Sequence, residues 1–196
     1  MNQVTERSER SRLSKADWVE GATAVLAEDG LFGVSIDRLA THLGVTKGSF
    51  YAHFDSRDEL IAAVLERFHS LDTGEVIARA DRIADPRERL ACFLEFGFER
   101  LEWGRVFAAL CAACSDHRVE PVMRRITEER MTYLEKALRG VGFDKAAARD
   151  RAVVIYATYV GFWRLVTAFP DWGLNDARRL RRLSEQVQAM LVPACP

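Results

Sequence analysis

The run VSIDRLATHLGVTKGSFYAHF, residues 34–54, decides the fold class because it holds two helix starts separated by a forced stop. Ser35 precedes Ile36, Leu39, Ala40 and Leu43, whose i, i+3, i+4, i+7 spacing marks an amphipathic helix capped by the serine hydroxyl. Gly44 supplies a left-handed stop, and Thr46 opens the next helix at once, so Leu43-Gly44-Val45 has room for a tight turn only. In this next helix Phe50 and Phe54 share one face and anchor it. Gly48, Ser49 and Ala52 are thereby turned outward, with Lys47, Tyr51 and His53 on the flanks. A helix-interior glycine costs about 1 kcal/mol relative to alanine, so a bare backbone at Gly48 needs a reason outside the helix.

Two short helices joined by a glycine turn form a helix-turn-helix, whose second helix enters the major groove of DNA. A groove about 12 Å wide admits a helix if the side chains at its centre are short, which suits Gly48 and Ala52. Lys47 and Ser49 are placed to reach base edges, and Tyr51 and His53 to reach the level of the phosphates. Ser35, Thr46 and the amides of both helix starts suit phosphate oxygens. Arg57 adds a charge nearby, and Arg7, Arg10, Arg12 and Lys15 give the N-terminal arm a modest basic excess.

Further out, Ser14 caps a first helix with Trp18, Ala22, Val25 and Leu26 at helical spacing, which Gly30 ends. Ser56-Arg57-Asp58-Glu59 is a capping box opening a longer helix with Leu60, Val64, Leu65, Phe68 and Leu71 on one face. Beyond about residue 80 every strong signal is helical, with neither strand alternation nor hairpin turns. Asp85-Pro86 starts one helix and Gly104 interrupts into another that runs through Cys114. A third runs from about Val119 to Leu138, and a fourth, the most apolar, from Lys145 to Phe169. In a last helix, capped by Asn175, Leu180, Leu183, Val187 and Met190 point inward. The chain is predicted to be all-α, with an arm and helix-turn-helix over 1–57, a connecting helix over 58–80 and a helical domain over 81–196.

Composition bounds the function. At 196 residues, with 48% hydrophobic content, the chain buries a real core, which excludes disordered and fibrous classes. Net charge is −1, so no global basic field announces nucleic acid, and DNA binding has to rest on local geometry. The start lacks the apolar core of a secretory signal and cysteines are few, which points to a cytoplasmic chain with reduced thiols. The most membrane-like segment, 152–169, carries Arg164 and falls short of a bilayer span. No glycine-rich phosphate loop or H-E-x-x-H motif occurs and the four histidines are scattered, so neither an enzyme nor a cofactor is indicated.

Residues 14 to about 71 resemble the DNA-binding domain of TetR-type transcriptional regulators. The resemblance is carried by AVLAEDG (24–30) and by VSIDRLATHLGVTKGSFYAHFDSRDELIAAVLERF (34–68). It implies DNA contacts from Ser35, Thr46, Lys47, Gly48, Ser49, Tyr51 and His53, and a phosphate contact from Arg57. Asp37 departs from the pattern, since a basic or neutral residue suits DNA better there. The resemblance also implies a C-terminal domain that binds a small ligand and dimerises through its last two helices, hence a two-fold dimer on a palindromic operator.

The residues have their own reasons to agree. Tyr156, Tyr159, Val160, Phe162, Trp163 and Val166 cover more than one face of their helix, which therefore needs partners on several sides. Phe98, Trp103, Phe107, Tyr133, Tyr159 and Trp163 are candidate walls for an apolar or aromatic ligand. Arg164 pairs with Glu95 or Glu99, or meets an acidic ligand. Cys111, Cys114 and His117 have metal-ligand spacing, but the cysteines read first as small buried hydrophobes, with thiol redox or metal sensing as alternatives. The combined reading is a ligand-responsive DNA-binding regulator, most simply a homodimeric repressor. The competing readings are a regulator that senses a thiol or a protein partner, and a small helical enzyme.

Overall fold

The computed structural model describes residues 13–191, and among them it is built from helices without a strand. Helix α1 (Lys15–Gly33) is capped at Ser14 by a reciprocal capping box with Asp17, and Gly30, at φ 71°, ends its regular part. Helix α2 (Ile36–His42) and the single turn α3 (Lys47–Phe50) flank Gly44, which takes φ 66° as the tight turn demands. Helix α4 (Arg57–His69) passes through a π-helical turn, Ser70–Gly74, into α5 (Glu75–Ala80) without a break. Helices α6 (Pro86–Glu99), α7 (Leu101–Ala112), α8 (Glu120–Gly140), α9 (Lys145–Ala168) and α10 (Ala177–Leu191) complete the described fold. The arm residues Arg7, Arg10 and Arg12 lie outside the described residues.

One core joins the two halves. Trp18 and Leu26 of α1, Leu39 of α2, Phe50 and Phe54 around α3 and Phe68 of α4 are buried together with Val106, Phe107 and Leu110 of α7. A second apolar cluster, with Leu90, Phe93, Leu134, Leu138 and Ile155, binds α6, α8 and α9. The helix-turn-helix therefore packs directly on the C-terminal helices through α1 and α4, and does not hang from a linker.

Three expectations change. The break between α6 and α7 falls at Arg100, with φ −87° and ψ 82°, and Gly104 lies inside α7. The glycine is there for packing, since a Cβ on Gly104 would stand 2.2 Å from the indole of Trp163. The same indole donates from Nε1 to the Gly97 carbonyl at 2.9 Å, so Trp163 seats α9 on both α6 and α7. The last helix is capped by Asp176, whose Oδ1 accepts from the Arg179 amide at 2.9 Å, one residue later than the Asn175 expected. Met190 is 77% exposed, while Leu180 is buried and Leu183 and Val187 half-buried, so the inward stripe fades toward the chain end.

Gly104→Ala is expected to lower stability by about 1–3 kcal/mol despite the better helix propensity of alanine, because the methyl overpacks against Trp163. Urea unfolding against wild type checks this, and unchanged stability would show that Trp163 yields.

Candidate functional site

The face presented by α2 and α3 keeps the pattern read from the sequence. Phe50 is wholly buried and Phe54 2% exposed, while Thr46, Lys47, Gly48, Tyr51 and Ala52 are exposed and Ser49 and His53 half-buried. The Tyr51 ring stands edge-on to Phe50 at 5.2 Å, which stiffens it while leaving it 61% exposed. Ser35 caps α2 through its hydroxyl, which accepts from the Arg38 amide at 3.3 Å. Thr46 has the backbone of an N-cap but makes no side-chain cap hydrogen bond, so its hydroxyl faces outward uncommitted to the helix. Among the described residues nothing requires glycine at position 48: a Cβ there would meet the Thr46 hydroxyl oxygen alone, at an ordinary 3.7 Å.

Electrostatics on this face are local and partly self-neutralised. Lys47 forms an ion pair with Asp37, both well exposed, which ties the first residue of α3 to the first turn of α2. Arg38 pairs with Asp29, and Lys15 reaches Glu59 at 2.7 Å while its ammonium lies 4.5 Å over the Phe54 ring. Arg57 differs from expectation. Its guanidinium turns inward, donating from Nε to the Val34 carbonyl and from Nη2 to the Leu31 carbonyl at 2.8 Å. Where α1 unwinds, the Leu31 carbonyl also accepts from the Val34 amide, and Arg57 at the start of α4 supplies the further donors.

From this face α4 runs back along the C-terminal helices, tied to them by two ion pairs and a hydrogen bond. Asp58 meets Arg118 at the α7–α8 corner, Glu66 meets Arg125 at 3.0 Å, and His69 Nε2 lies 2.7 Å from Glu129. Asp116 shares the Arg118 guanidinium, whose hydrogen bonds hold the Asp116 carboxyl well below the usual carboxylate range. Ile61 and Val64, on the same helix, are 2% and 3% exposed.

Where α4 becomes α5, the π-turn turns Asp72 and Thr73 into the interior, facing Arg130 of α8. Arg130 is 5% exposed; its Nη2 reaches the Asp72 carboxylate at 2.5 Å and its Nε donates to the Thr73 hydroxyl at 3.0 Å. Burial opposes its charge, but Tyr159 and Asp72 around it outweigh that penalty and keep the guanidinium ionised. The guanidinium also lies 5.2 Å from the Phe107 ring centroid and 5.3 Å from that of Tyr159. Beside the pair is a cavity of about 30 Å³, otherwise walled by apolar and aromatic groups including Phe93, Phe98, Tyr156 and Tyr159.

Of the expected ligand residues, Phe98 and Tyr159 line this cavity, and Phe107 stands behind Tyr159 with centroids 4.6 Å apart. Trp103 packs on Phe68, Tyr133 on Phe93 away from the cavity, and Trp163 on Gly104. Arg164 is on the exposed face of α9, and the Glu99 carboxylate has Arg181 as its partner instead, at 3.9 Å. Sequence reasoning missed Arg130 and Asp72. The signal was present for Arg130, which falls in phase with Met123, Ile126, Tyr133 and Leu134 on the apolar stripe of α8.

Cys111 is half-buried and Cys114 exposed, so the expectation of two buried cysteines holds only in part. Burial pushes the Cys111 thiol up to about 12 and raises that of Cys114 too, which keeps both protonated and poorly reactive near neutral pH. Among the described residues no cluster of three metal-ligating side chains occurs, and no helix is long and apolar enough to cross a membrane.

Comparison with known proteins bears on the same regions. Residues 19–64 match the family model described as bacterial regulatory proteins, tetR family. The chain is 29% identical over 89 residues to the probable HTH-type transcriptional regulator ArpR of Pseudomonas putida, a match spanning 45% of this chain and 41% of that relative's length. A solved transcriptional regulator of Rhodococcus sp. Rha1 superposes with a TM-score of 0.75 at 23% identity, covering 92% of this chain and 96% of that one. A regulator from Saccharomonospora viridis, solved in complex with choline, gives 0.74 at 19% identity over 88% and 93% of the respective chains. The family match identifies residues 19–64 as a helix-turn-helix domain of the tetR family, and the solved neighbours share the fold of the whole chain.

Proposed function

We propose that this chain is a homodimeric, DNA-binding transcriptional regulator, a repressor released from a palindromic operator by a small apolar or aromatic effector. The observation that carries the DNA half is the exposed, sterically unforced Gly48, at the centre of a face offering Thr46, Lys47, Ser49, Tyr51 and His53. A glycine that the fold does not need is explained by close approach to a duplex. The effector half rests on the cavity beside Arg130, because its polar wall is the π-turn that continues α4 toward the DNA face. The Saccharomonospora regulator, of the same fold, is solved with a small molecule bound. The raised thiols of Cys111 and Cys114 favour a ligand over a thiol sensor.

Dimerisation is supported by α9. Val154, Ala157, Gly161, Leu165 and Ala168 recur along one exposed face, flanked by Val153 and by Phe169, and a Cβ on Gly161 would meet nothing within 4 Å among the described residues. A small-residue notch in an exposed apolar helix admits a second helix closely. A two-fold axis there sets the recognition helices on half-sites about 34–36 Å apart, or a related spacing.

Selection of bound duplexes from a randomised pool at fixed salt tests the reading. Wild type should enrich a palindrome that Tyr51→Ala does not; no enrichment by folded protein, with or without candidate effectors, would overturn it. Gly48→Ala should leave stability equal or raise it by up to about 1 kcal/mol while weakening binding to the selected duplex. Affinity equal to wild type would remove the case for close approach. Asp37→Asn should free Lys47 and strengthen DNA binding several-fold at low salt, the gain shrinking as salt rises. Gly161→Arg should yield a folded monomer by sedimentation, with affinity lost on the palindrome; a variant that sediments as a dimer would place the interface elsewhere.

A further inference from the structure

We infer that the effector is a carboxylic acid with an apolar tail, which enters past Tyr156 and takes the Arg130 guanidinium from Asp72. This rests on the effector reading of the cavity given above.

Tyr156 is the partition between two spaces. On its inner side it lines the cavity of about 30 Å³ that contains Asp72 and Arg130. On its outer side it lines a groove of about 410 Å³ between α7, α8 and α9, with Cys111, Met123, Thr127 and Val160. Its hydroxyl lies 2.9 Å from that of Thr127 on α8, so one hydrogen bond holds the ring in place. The inner cavity holds about one water, well short of the roughly 300–1,000 Å³ of small-molecule sites, so a ligand that reaches Arg130 has to occupy the outer groove as well.

The chemistry of the inner end selects the ligand. Its charged groups are Asp72 and Arg130, whose side chains are 4% and 6% exposed, and the remaining wall is almost wholly apolar. A buried guanidinium cannot be left without an anion, so a ligand that separates the pair has to bring a negative charge in place of that of Asp72. An alcohol or an amine does not. The two carboxylates compete for one guanidinium in an apolar chamber, so the ligand displaces Asp72 from the planar fork of Arg130. The other titratable groups facing the chamber are Tyr156 and Tyr159, both raised by burial and so neutral throughout. Displaced Asp72 no longer holds Arg130, and it sits in the π-turn that continues α4. The position of the ligand carboxylate is thus coupled to the helix that carries the DNA-binding face.

The test is calorimetric titration of the full chain with octanoate, octanol and octylamine, and with phenylacetate beside phenylethanol. Wild type should bind each acid at least tenfold more tightly than its alcohol, with the amine weakest. The paired variant Asp72→Leu with Arg130→Met replaces the buried ions by apolar groups and should stay folded, bind octanol, and lose the preference for acids. Arg130→Lys keeps the charge but not the planar fork and should reduce the preference without unfolding. Equal binding of acid and alcohol by wild type, or an acid preference retained in the paired variant, would overturn the carboxylate assignment while leaving the cavity as effector site. Failure of every probe to bind both wild type and Tyr156→Ala, in which the partition is removed, would overturn the effector site as well.

Discussion

A guanidinium buried in a helical core constrains everything around it. Arg130 cannot give up its charge, and removing the partner of a buried ion costs about 3–5 kcal/mol, so the fold has to deliver an anion to it. It does so with Asp72, on a segment that a regular α-helix would not aim the same way. A π-turn accommodates an extra residue in the helical path and so shifts the phase of the next helix. The turn at Ser70–Gly74 brings both Asp72 and Thr73 to Arg130 while α4 continues directly into α5. Satisfying one buried charge thus fixes the register between α8 and the helix that leads to the recognition face.

The packing makes that register consequential. Helix α4 is gripped along its length by Arg118, Arg125 and Glu129, and Ile61 and Val64 pack below the surface. Each exposed pair alone contributes little. In series with the buried pair they leave α4 few ways to move except as a body, and α1, packed on α7, follows the same domain. A change at Asp72 therefore has a physical route to the far end of α4, where Arg57 holds the end of α1 by its carbonyls.

The face of α2 and α3 shows a different economy of charge. With a net charge of −1 the chain has no long-range attraction for a polyanion, and Lys47 is already engaged by Asp37. Such a face favours affinity gained at contact distance, from shape and hydroxyls, over long-range steering. Gly48 and Ala52 fit that logic, since small residues let backbone and flanking side chains approach together.

The helix-turn-helix was legible in the sequence because its determinants are local. A cap at Ser35, a left-handed glycine at Gly44 and a Phe50/Phe54 anchor act within a few residues of one another, and no distant partner is needed to read them. The helical class of the C-terminal half was legible for the same reason, through periodicity. Gly104 misled because glycine both breaks helices and makes room, and the ring of Trp163 that requires the room lies far along the chain. Arg57 read as a phosphate contact and Arg164 as the partner of Glu95, Glu99 or an acidic ligand, because sequence shows a charge but not its direction; Arg57 turned inward to the carbonyls at the end of α1 and Arg164 outward. The pairing of Arg130 with Asp72, and the cavity beside it, joins residues on separate helices through a π-turn that no local pattern announces. The sequence by itself determined which segments are helical and where the two short helices of the helix-turn-helix lie, since capping and periodicity are short-range. Only the tertiary structure decided where the buried charge finds its partner, because that depends on how helices distant in the chain are packed and in what phase.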